Sequence, residues 1–231
     1  MDTEAQHTER DRSSAPGPGT DPAAEGAEER SRSRLSWLPG GGYTFTVLLA
    51  VLALLAVNRF VAQPFEIPST SMEPALHVGD RVVVNKLAYR FGGAPRRGDV
   101  VVFDGAGYFG DGDYIKRVVG IGGDRVVCCG KDGRLRINGR PVSEPFLHSK
   151  DAPSEVPFDL VVPSGRLFLL GDHRSDSRDS RDHLGSPGGG MVPFSSVIGR
   201  AETVVWPLSR WGGLGRDRTY EDVPAPGHGH G

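Results

Sequence analysis

Beyond residue 62 no long stretch of this chain repeats its apolar residues with a helical period, and that constrains the fold more than any other feature. Short β-branched runs stand there instead, at 81–85, 99–103, 114–119, 125–127, 166–170 and 197–206, bounded by Gly, Asp and similar breakers. Leu135-Arg136-Ile137 and Arg140-Pro141-Val142 flank the dipeptide Asn138-Gly139. That dipeptide supplies the two positive φ values of a type I′ turn, so the segment predicts a tight hairpin. The expectation is a mostly antiparallel β domain from about 64 to 208, with Trp206 in its core rather than at a lipid interface.

An apolar segment precedes it, residues 43–61, with an uninterrupted heart from Phe45 to Val57. The heart alone is short for a membrane span, which needs ~20 residues. Tyr43, Thr44, Phe60 and Val61 extend it, and Arg59 can snorkel toward the headgroups. A cleaved secretory signal has a core of similar length. The long charged leader and the lack of a clear small-x-small cleavage site favour an uncleaved anchor helix over residues 43–62. Arg30, Arg32 and Arg34 precede the span, which directs the N-terminus to the cytoplasm and everything after Ala62 outside.

Residues 1–42 are rich in charged and small residues and cannot bury enough surface to offset ordering entropy, so a disordered leader is expected. Residues 211–231, rich in Gly and Pro, are expected to form a flexible tail. The pair His228 and His230 within it has no further metal ligands beside it. A net charge of -2 gives no reason to expect nucleic-acid binding. The only cysteines are adjacent, Cys128-Cys129, which excludes a stapled framework. They read as two small residues ending a strand, with a vicinal or intermolecular disulfide as the alternative.

Ser71 lies soon after the apolar segment, within Ile67-Pro68-Ser69-Thr70-Ser71-Met72-Glu73-Pro74. A serine hydroxyl is a poor nucleophile until a nearby base takes its proton. His77, His148, His173 and His183 lie in polar or Gly-rich surroundings and read as satisfied or solvent-facing. His173, in Gly171-Asp172-His173, could imitate a Ser-His-Asp arrangement, but nothing places it beside Ser71. Lys116 is the better base. In a strand its same-face neighbours are Tyr114 and Val118, and burial against them would lower its pKa. Arg117 points to the other face. A lysine and arginine side by side in a strand are also what a solvated edge looks like. The block from Gly171 to Arg181 alternates acids and bases, which suits internal ion pairs better than a calcium loop. Gly120-Ile121-Gly122-Gly123 opens no helix, and no S-x-x-K follows Ser69 or Ser71.

Four blocks in order resemble those of type I signal peptidase, the membrane-bound bacterial serine protease that removes signal peptides. They are the nucleophile block 67–76; Arg97-Gly98-Asp99 with the apolar run after it; Tyr114-Ile115-Lys116-Arg117-Val118-Val119-Gly120 with Gly123-Asp124; and the final block 171–181. The resemblance implies a mainly β catalytic domain over 63–210, with a small β cap at about 124–165, behind one N-terminal transmembrane helix. It implies Ser71 as nucleophile and Lys116 as neutral general base. It places Ser69, with the Ser71 backbone N–H, in the oxyanion hole, and Ser177 as the serine that orients the lysine amine. Arg117 with Asp172, and Asp179 with Arg181, match structural ion pairs. Phe65, Ile67, Pro68, Met72, Leu76, Tyr114 and Ile115 fall where the family lines small pockets for Ala-x-Ala. His173 departs from the usual Asn, and Ser175 and Asp176 from a common Asp-Asn pair.

The expectation is therefore a monomeric endopeptidase of the bacterial cell membrane. It acts on signal peptides of exported preproteins and touches membrane lipid, with no metal or cofactor and no nucleic acid. Two other readings stand against it. One is a Ser-Lys self-cleaving repressor, disfavoured by the anchor and by the lack of a helix-turn-helix pattern. The other is a non-catalytic anchored β module that binds a partner, which leaves the arrangement of Ser69, Ser71, Lys116 and Ser177 unexplained.

Overall fold

The computed structural model describes residues 41–226, so the expectations for most of the leader and for the last residues of the tail lie outside it. One helix, α1 (Gly41–Phe60), carries the apolar segment; it is long and apolar enough to cross a membrane. Its 20 residues span ~30 Å at the helical rise, the thickness of a hydrocarbon core. Leu48, Leu52, Leu54 and Leu55 are all exposed along it.

The rest is β structure with short 3₁₀ turns. The first strands are β1 (Ala62–Glu66), β2 (Arg81–Asn85), β3 (Val100–Asp104), β4 (Asp113–Ile121) and β5 (Arg125–Cys128). The hairpin β6 (Arg136–Ile137) and β7 (Arg140–Pro141) follows, with Asn138 and Gly139 both at positive φ, as that dipeptide requires. The remaining strands are β8 (Phe158–Val161), β9 (Arg166–Leu170), β10 (Val192–Pro193), β11 (Val197–Trp206) and β12 (Gly212–Gly213).

They form two antiparallel sheets. The larger has the order β1-β2-β11-β3-β4-β9-β10, with β12 added to β11; the smaller is β7-β6-β5-β8. The larger sheet packs through two apolar clusters, one around Ile67, Met72, Val82, Val100 and Ile115, the other around Val101, Phe103, Val118 and Leu169. A third cluster joins the sheets through Val119, Val126, Ile137 and Phe168. Because β4 lies between β3 and β9 and is covered on both faces, residues 115–120 are buried without alternation. Lys116 and Arg117 are therefore both removed from water, unlike a solvated edge.

Three expectations change. Residues 211–226 are not loose: Tyr220 and Val223 are buried in the cluster that joins the sheets, and Arg216 pairs with the buried Asp99 at 2.8 Å. Gly98, at φ +87°, lets this segment approach so closely that a Cβ there would sit 2.7 Å from the Asp217 carbonyl oxygen. Trp206, expected in the core, is 53% exposed, because the register of β11 on β2 shifts between Val204 and Trp206 at the strand end. Cys128 and Cys129 form a vicinal disulfide across a cis peptide.

Candidate active site

Ser71 sits in the turn after β1. Met72 and Leu76 anchor this turn; both are fully buried, and the Leu76 N–H donates to the Met72 carbonyl. Across from it, β4 presents Lys116. Its Nζ shares a 2.6 Å hydrogen bond with Ser71 Oγ, and both residues are buried. Burial lowers the lysine pKa to about 8, against the raising effect of the Asp179 and Asp172 charges. Among the described residues no carboxylate forms an ion pair with the amine. Ser69 Oγ lies 3.2 Å from Ser71 Oγ, and no hydrogen bond among the described residues engages the Ser71 backbone N–H.

The final block closes over this pair through its backbone. The His173 N–H donates to the Ser71 carbonyl at 3.1 Å. Gly171 is a steric requirement, since a Cβ there would lie 2.4 Å from the Ser71 carbonyl oxygen and 2.2 Å from Ser177 Oγ. The four charged residues expected as ion pairs do pair. Arg117 grips Asp172 with two bonds of 2.7 and 2.6 Å and donates a third to the Gly98 carbonyl. Burial pushes the Asp172 carboxyl up, opposed by Arg117. Arg181 holds Asp179 with two 2.8 Å bonds, and Asp179 accepts from the Gly171 N–H.

Other placements differ from expectation. Ser177 does not bond to the amine: its Oγ is buried and has no hydrogen-bond partner among the described residues, while Lys116 Nζ is turned to Ser71. Of the residues expected to line pockets, Ile67, Met72, Leu76 and Ile115 share one apolar cluster with Phe65 packed against it. Pro68 is exposed. Tyr114 belongs to a different cluster, its hydroxyl donating to the Phe109 carbonyl, because alternation along β4 sends it to the face opposite Ile115. His173 is not simply solvent-facing; its Nδ1 is buried with no hydrogen-bond partner among the described residues, and so is that of His77.

Sequence reasoning missed the supports that come from far along the chain. Arg174 looks like one more charge in an alternating block, yet it is buried and ion-paired to Glu144 at 2.6 Å. Its Nε donates to the Gly171 carbonyl, and the Tyr220 hydroxyl donates to the same Glu144 carboxylate. Thr70 donates a short hydrogen bond to Asp176. No local pattern signals these pairs; the only hint was an aromatic residue in a segment otherwise rich in Gly and Pro.

With this geometry in hand, comparison places the chain. Residues 41–206 match the family model for signal peptidase, peptidase S26. A probable signal peptidase I of Mycobacterium leprae is 37% identical over 227 residues, covering 72% of this chain and 78% of its own length. The signal peptidase I of Mycobacterium tuberculosis is 38% identical over 218 residues, with 74% of each chain covered. Signal peptidase IB of Staphylococcus aureus is 32% identical over 185 residues, 73% of this chain and 91% of that one. The chain belongs to the signal peptidase family, peptidase S26, and is a serine peptidase.

Proposed function

We propose that this chain is a membrane-anchored endopeptidase that cuts signal peptides from exported preproteins by a Ser71/Lys116 dyad. The observation that supports it most is the 2.6 Å contact between a buried amine and a buried hydroxyl. With its pKa lowered to about 8, Lys116 holds an appreciable neutral fraction near neutral pH. In that state the Ser71 O–H donates to Nζ, and the amine takes the proton as Oγ attacks the scissile carbonyl. The protonated amine then gives its proton to the leaving nitrogen. Water, activated by the same amine, releases the acyl group.

The Ser71 N–H and the Ser69 hydroxyl are the donors assigned to the developing oxyanion. Arg117 with Asp172, and Arg181 with Asp179, hold the final block in place. Ser177 is assigned to the amine once Nζ leaves Ser71, since its hydroxyl is buried without a partner. A preference for small residues such as Ala-x-Ala before the cut rests on the family resemblance; Ile67, Met72, Leu76 and Ile115, assigned to that pocket, lie buried in one apolar cluster. The anchor reading rests on α1, whose apolar side chains are exposed along its length. Exposed Trp206, Leu208 and Trp211 suit contact with the lipid interface.

The test uses the purified full chain in detergent with a precursor carrying an Ala-x-Ala site. One cut after the second alanine is expected, together with acylation of Ser71 by a serine-directed inhibitor. A precursor left whole, or an unlabelled Ser71, would refute the assignment.

A further inference from the structure

We propose that Glu73, His148 and His173 form a binding site for one zinc ion, set against the segment that carries Ser71. One ligand atom from each of the three residues lies within 4.8 Å of the others. All three residues are half-buried. The imidazole rings of His148 and His173 stack with centroids 3.9 Å apart and planes 23° from parallel. His173 Nδ1 is buried and makes no hydrogen bond among the described residues. A buried polar atom calls for a partner, and an ion or a water can supply it. The Glu73 carboxylate, too, has neither ion pair nor hydrogen bond among the described residues.

The donor set selects the metal. Two imidazoles and one carboxylate are borderline ligands, suited to zinc and poorly suited to the all-oxygen preference of magnesium or calcium. Zinc bonds of ~2.0–2.1 Å place tetrahedral donors about 3.4 Å apart. An imidazole binds a metal in its own ring plane, so the stacked rings of His148 and His173 cannot both face one ion as they stand; one ring must turn about its side-chain bonds as the three donors draw together. Three protein ligands leave the fourth position to water.

The surroundings suit such a site. Asp151, on the same loop as His148, accepts from the Ser175 N–H and hydroxyl and ties that loop to the final block. Each ligand also belongs to a different segment around the nucleophile. Glu73 is two residues beyond Ser71; the His173 N–H donates to the Ser71 carbonyl; the His148 N–H donates to the Asp172 carbonyl at 3.1 Å. An ion here would fasten the nucleophile turn to the final block and to the loop bearing His148.

The inference does not rest on the proteolytic reading, and its test reads binding rather than turnover. The full chain, with His228→Ala and His230→Ala to silence the tail, is stripped of metal in detergent. It is then titrated with zinc chloride against a chromophoric chelator. One zinc per chain is expected, with no binding of magnesium or calcium. His148→Ala and His173→Asn should each weaken binding at least ~10-fold, the range in which metal sites respond to losing a supporting group. His77→Ala should bind as the parent does.

Zinc should also protect His148 and His173, and not His77, from chemical acylation mapped by mass spectrometry. That readout needs no variant to fold. No stoichiometric zinc in the parent, unchanged affinity in folded His148→Ala and His173→Asn, or failure to protect both rings would each overturn the site.

Discussion

Lys116 and Arg117 are neighbours on β4, each 4% exposed, yet their surroundings differ completely. Arg117 meets a carboxylate with two bonds, a backbone carbonyl with a third, and the face of Phe146 at 4.3 Å. Lys116 meets a hydroxyl. Burial costs both cations their hydration, but only the guanidinium gets a counter-charge in return. The arginine stays charged and structural, while the amine is lowered toward the range where it can trade a proton. Depth in the protein did not separate their roles; the partner on each face of the strand did.

That contrast can be broken in graded steps. Ser71→Ala and Lys116→Ala should each abolish precursor cleavage, on the order of 10⁶-fold as for other nucleophile–base units, and the double variant should be no worse than either. Single-turnover kinetics would check this; additive losses would show that the two do not act together. Asp172→Ala strands the Arg117 charge in the interior and should cost about 3–5 kcal/mol in denaturant unfolding, far more than removal of an exposed carboxylate.

Ser69→Ala removes one assigned oxyanion donor and should lower kcat ~10²–10³-fold while leaving KM nearly unchanged. Tyr220→Phe deletes a hydrogen bond to the Glu144 carboxylate and should cost about 1.5 kcal/mol of stability. The mildest intervention is pH. In the proposed mechanism Lys116 must lose its proton to act, and its pKa is lowered to about 8. The rate should therefore climb about tenfold per unit below pH 8 and level off above it. A flat profile from pH 5 to 9 would remove the amine from the mechanism.

The mainly β fold was legible because its signals are local. The Asn138-Gly139 turn and the β-branched run of β4 need no tertiary context to be read. Strands β1 and β8 were harder. Pro64 sits inside β1, which pairs only with β2 at the edge of the sheet, where proline is tolerated but hides the pattern. Trp206 misled because a bulge, invisible in sequence, turns it outward. The nucleophile and lysine blocks stood out through their motifs. Glu144 and Tyr220 did not, because each earns its place through a partner many residues away. Ser177 was expected to bond the lysine amine, and its hydroxyl does not, because the flexible amine points to Ser71 instead.

The Glu144–Arg174–Tyr220 group also bears on when the molecule becomes complete. Arg174 reaches back to the Gly171 carbonyl, so the loop over Ser71 leans on a carboxylate that Tyr220 helps to hold. Polypeptides are made from the amino end, and residue 220 emerges long after Ser71 and Lys116. A growing chain therefore holds Ser71 and Lys116 before the last brace arrives, and the loop over Ser71 gains its full support only once residue 220 has been made.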